Sequence, residues 1–63
     1  MNAKVRAKLT SLAHEIRVLA EEEQQKAENL PESMYDSDQY LALEEAADAL
    51  HTVADDLDEV VAA

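Results

Sequence analysis

Pro31 is the only proline in a 63-residue chain that contains no glycine, so there is one place where a helix is obliged to stop. Proline has no amide hydrogen to donate, and its ring biases Leu30 away from helical dihedrals. A helix entering from the N-terminal side should therefore end near Glu28 or Asn29. Beyond Pro31, the stretch Pro31-Glu32-Ser33-Met34 can form one helical turn, because proline is tolerated at the first position. A second helix then restarts at Asp36 or Ser37: Asp36 with Gln39 has capping-box spacing, and Ser37 is an equally good N-cap. The expected fold class is all-α, an antiparallel two-helix hairpin with helices at about residues 3–28 and 38–62 and a turn at about 29–37.

The rest of the composition agrees with helix, being rich in Ala, Leu and Glu with only Tyr35 and Tyr40 as aromatics. So short a chain buries a small fraction of its surface, and without cysteine it has neither disulfides nor thiolate metal sites to compensate. Oligomerisation is the remaining route. No apolar run approaches the ~20 residues of a membrane span, and His14, Glu15 and Arg17 interrupt Leu9 to Ala20, which a signal-peptide core would not tolerate. The expectation is a soluble, cytoplasmic protein.

Charge is distributed unevenly. Met1 to Ala20 holds four bases and one acid, whereas Glu21 to Ala63 holds fourteen acids and only Lys26, for a net charge of -10. Direct binding to nucleic acid is not expected, because phosphate contacts require clustered Lys and Arg. A basic protein surface is the electrostatic complement, although acidity also serves solubility alone.

In the first arm, Val5, Leu9, Leu12, Ile16 and Leu19 alternate at spacings of four and three, which predicts the interhelical seam. Ala13, Ala20 and Ala27 form a small-residue stripe beside it, open to close approach by another helix. The seam lapses at Glu23 and Lys26, and Glu22 with Lys26 makes a favourable i,i+4 pair. In the second arm, Leu43, Ala47, Leu50, Ala54, Leu57 and Val61 form the seam. Ala46, Val53 and Val60 form a second stripe, giving a face wider than one partner helix covers. Homodimerisation into a four-helix bundle through Ala46, Val53 and Val60 is expected on that ground. Folding back at the proline sets Lys4, Arg6 and Lys8 against Asp55, Asp56, Asp58 and Glu59, with Arg6 and Asp58 the preferred pair.

Catalytic chemistry has little to stand on. There is no H-E-x-x-H, no glycine-rich phosphate loop and no calcium-loop pattern. Asp48, His51 and Asp55 share one side of the second helix, with His14 roughly across from His51, yet carboxylates around a histidine are what an acidic solvent face produces. Neither a metal, a cofactor nor an enzymatic activity is expected. The candidate partner-binding residues are Glu44, Glu45, Asp48, Asp55, Asp56 and Glu59, together with Tyr35 and Tyr40. A tyrosine pair beside the bend caps the end of the core, but tyrosines are also good interface anchors.

The run from Glu22-Glu23-Gln24 through Asn29-Leu30-Pro31-Glu32-Ser33, followed by Asp36-Ser37 and an acidic Ala- and Leu-rich helix, resembles small helical-hairpin proteins of phage, prophage and mobile-element origin. The resemblance covers roughly Glu22 to Leu57. It departs at Ala27, where a larger side chain is common, and the basic start has no counterpart. It implies a helical hairpin and a genomic setting, with no assigned activity. The expected function is a non-enzymatic acidic protein-protein interaction module, a mobile-element inhibitor or nucleic-acid mimic that docks on a basic host protein. The alternative is a self-assembling structural or accessory protein with no charged partner.

Overall fold

Two short polar side chains start the two helices. Asn2 Oδ1 accepts the Val5 amide at 2.9 Å, and Ser37 Oγ accepts the Tyr40 amide at 3.2 Å, each satisfying one of the amides that a helix start leaves without an intrahelical partner. The computed structural model describes residues 1–63: α1 spans Ala3–Glu28, a single 3-10 turn spans Glu32–Met34, and α2 spans Asp38–Ala62. These are the bounds expected from the sequence, and there is no strand. Of the two candidate caps Asp36 and Ser37, the chain uses Ser37, whose hydroxyl also donates to the Met34 carbonyl at 2.6 Å. Ser37 therefore ties the 3-10 turn to α2.

Pro31 is extended, with φ -57° and ψ 148°, and α1 ends ahead of it. The Asn29 amide donates to Gln25 at 2.9 Å and the Leu30 amide to Ala27 at 3.2 Å. One carbonyl left over at that helix end, Glu28, accepts the Tyr35 hydroxyl at 3.2 Å. Tyr35 in turn stacks at a tilt on Tyr40, with ring centroids 5.0 Å apart. The tyrosine pair thus joins the end of α1 to the start of α2.

Replacing Ser37 with Ala removes both bonds of its hydroxyl. Loss of such a cap costs about 1 kcal/mol. On a chain of this size that corresponds to a melting temperature lower by roughly 4–8 °C, read by circular dichroism at 222 nm.

The seam between the helices is built on alanine. Ala13, Ala20 and Ala27 of α1 and Ala47 and Ala54 of α2 are the only buried residues, none more than 3% exposed, and no large side chain is fully buried. Alanine every seventh residue brings two helices near the lower end of the 8–10 Å range of interaxial distance. Leu9 and Ile16 on α1, and Leu43, Leu50, Leu57 and Val61 on α2, flank that stripe half-buried. The α2 seam is the expected one. The α1 seam is not: Val5, Leu12 and Leu19 are 45%, 37% and 50% exposed, and the alanine stripe takes their place. Leu9 and Ile16 belong to both frames, so α1 is turned by a fraction of a turn from the orientation its largest apolar residues predict.

Ion pairing differs as well. Arg17, not Arg6, crosses to α2 and donates to Asp55 at 2.9 Å and to Asp58. Arg6, Lys4 and Lys8 form no ion pair. Side chains lean toward the N-terminus of their own helix, so in an antiparallel pair the long Arg17 and the Asp58 carboxylate lean toward each other along the axis. Lys26 pairs with Glu23 at 3.1 Å, in place of the i,i+4 partner Glu22.

Candidate functional site

The Arg17 bridge identifies the faces of the hairpin. Arg17 lies four residues after the buried Ala13, and Asp58 lies four after the buried Ala54, so the two occupy equivalent positions on antiparallel helices. Equivalent positions fall on the same face, because the axis relating two antiparallel helices is normal to the plane that contains them. By the same logic, Leu12 and Leu19, three residues after Leu9 and Ile16, share the opposite face with Ala46, Val53 and Val60, three residues after Leu43, Leu50 and Leu57. The hairpin has one polar face and one apolar face.

On the polar face, Arg17 is held by two carboxylates, and these hydrogen bonds raise its pKa from the ordinary arginine value, Asp58 contributing more than Asp55. One heptad toward the turn, the same positions carry Gln24, Asp48 and His51. There the carboxylate recurs without its base. Glu44 precedes Asp48 on this flank, so Glu44, Asp48, Asp55 and Asp58 form an acidic row with a cation at only one end. His51 is half-buried beside it, and no cluster of three or more His, Asp or Glu side chains is arranged to hold a metal ion.

The other candidates sit elsewhere. Asp56, three residues after Val53, is exposed and borders the apolar face on the outer side of α2, and Glu45 and Glu59, two heptads apart, are exposed on its back. The acidic residues expected to bind a partner are thus divided between two flanks. Tyr35 spends its hydroxyl on Glu28, and Tyr40 is half-buried against it, so both belong to the turn. Ala46 is half-buried, and Val53 and Val60 are each 48% exposed. Sequence reasoning overlooked Val5, Leu12 and Leu19 as members of the same face, and Arg17 as the bridging base. Their signal was present in the matched heptads of alanine on the two arms.

Tyr40 carries a pH-dependent contact. Hydrogen bonding to Glu44, four residues on, and then burial raise its phenol above the ordinary value. A phenol whose folded pKa is raised contributes stability that is fully present below the unfolded value of about 10 and is lost as pH rises through the folded value. The melting temperature should therefore fall as pH passes above ~10, and Tyr40→Phe should flatten that decline. In a titration followed by absorbance at 295 nm, Glu44→Gln should return the Tyr40 transition toward its ordinary position.

No helix is long and apolar enough to cross a membrane. Comparison with known proteins gives no match to any family model, curated sequence or solved structure.

Proposed function

We propose that this chain is a non-catalytic protein-interaction module, a hairpin that pairs with a second copy through its apolar face and offers its acidic flank to a basic protein. The observation that carries this reading is the division of the surface into two opposed faces. The apolar face contains more large side chains than the hairpin can cover, with Leu19, Val53 and Val60 about half exposed. Pairing two hairpins into a four-helix bundle covers them without any further residue type.

The chain's own ion pair supports the reading of the acidic flank. Asp55 and Asp58 hold a guanidinium contributed by the chain itself. Asp48 and Glu44 continue the row with no base from α1 opposite them, which is where a partner's Arg or Lys would fit. In a phage or mobile-element setting such a row suits an inhibitor of a basic, nucleic-acid-binding host protein, its carboxylates standing in for spaced phosphates.

Capture of lysate proteins on the tagged hairpin at low and high salt tests the reading. A basic protein should be retained at low salt and released as the Debye length shrinks from about 10 Å to 3 Å between 0.1 M and 1 M. Glu44→Gln with Asp48→Asn should abolish retention while the helix content stays intact. Retention indifferent to salt and to these substitutions would leave the acidity to solubility, and favour the accessory, self-assembling role.

A further inference from the structure

We propose that the second copy packs with its turn at the opposite end, so that α1 lies along α1 of its partner and α2 along α2. This rests on the dimer reading above and adds its face and its direction. The interface comprises Val5, Leu12 and Leu19 together with Ala46, Val53 and Val60. At its outer edge, an open groove of about 490 Å³ runs beside Val5 and Leu9, flanked by Lys4 and Lys8.

The area argues for a second copy. A compact chain of 7.0 kDa is expected to expose about 4,000 Å², whereas this hairpin, 50 Å long and 15 by 11 Å across, exposes 4605 Å². A stable dimer needs about 800 Å² per partner. An apolar face running much of the length of the hairpin can supply that, and a two-fold axis matches it to itself.

Charge selects the direction. Face-to-face pairing admits two closed arrangements: turns together, with α1 on the partner's α2, or turns opposed, with like helices paired. Residues 18–49, the half of the hairpin next to the turn, hold ten acids against Lys26, while the other half holds five acids and four bases. Turns together would lay the two strongly acidic halves side by side. Turns opposed set each acidic half against a nearly neutral one. Along the edge of α1 that borders the face, the residues run Lys4, Lys8, Glu15, Glu22, so reversing the partner brings bases onto acids twice.

Nitroxide labels at Ser33→Cys read the direction, because Ser33 is exposed in the turn and the chain has no other cysteine. Pulsed dipolar spectroscopy of the wild-type background should give a label separation of about 50 Å, the length of the hairpin. A separation below ~25 Å, the scale of neighbouring helix ends, would overturn the direction while keeping the dimer. Absence of dipolar modulation at concentrations where the chain is folded would overturn the dimer itself. As a second readout, Lys8→Glu should weaken dimerisation about tenfold, and adding Glu15→Lys, the acid that the reversed edge sets against Lys8, should restore it. Failure of that restoration, with the labels close, would assign turns together.

Discussion

Ala20→Leu should unfold the hairpin or lower its melting temperature by more than any surface substitution. Ala20 is completely buried, at the middle of the stripe that lets α1 and α2 approach. Three more carbons at that point cannot be absorbed by a neighbouring gap, since the facing surface is alanine as well. Overpacking typically costs about 1–3 kcal/mol. Here the turn holds the helices in fixed register, so a wedge at one heptad also separates Ala13 from Ala54. A chain this small sits near the low end of the ~5–15 kcal/mol range of domain stabilities, and each kcal/mol moves the melting temperature by roughly 4–8 °C. The expected loss is therefore about 10–20 °C by circular dichroism. Val18→Leu adds bulk at a position 41% exposed on the outside of α1 and should change nothing. An Ala20→Leu protein that melts with the wild type would mean the seam is not set by alanine.

The same alanines explain where sequence reading succeeds and where it stops. The helix bounds follow from Pro31 and from the polar residues ahead of each helix, which are local chemistry. The α2 seam was readable because its leucines and its alanines fall in one frame. On α1 they compete: Val5, Leu12 and Leu19 are larger than Ala13, Ala20 and Ala27, and hydrophobicity ranks them first. Size decides the other way, because an alanine heptad on one arm matches an alanine heptad on the other and allows closer packing. Arg17 was missed for a related reason. Counting from Glu28 and Asp38 across the turn places Arg6, not Arg17, level with the acidic end of α2, and only the opposed lean of the side chains closes the remaining distance. The acidic row was visible as composition, but which carboxylates share a flank depended on the rotation of the helices.

Val53→Glu separates an isolated hairpin from a bundle, because the two predict effects of opposite sign. In the hairpin alone Val53 is 48% exposed, and Glu has the higher helix propensity, so the substitution should be neutral or slightly stabilising. In the bundle Val53 is covered by the second copy. Full burial of a valine contributes roughly 1.5–3 kcal/mol, of which covering a half-exposed one adds about half; the symmetric dimer contains two, and each replacement would set a carboxylate into the apolar seam. Sedimentation equilibrium at micromolar concentration should give twice the 7.0 kDa chain mass for the wild type and 7.0 kDa for Val53→Glu. Helicity should fall with the mass, since a hairpin whose only buried residues are five alanines has little core of its own. Leu41→Glu supplies the control: Leu41 is 51% exposed but lies on the outside of α2, away from both the seam and the apolar face, and its substitution should leave mass and helicity unchanged. A folded wild-type chain at 7.0 kDa would refute the bundle, whatever the variants do.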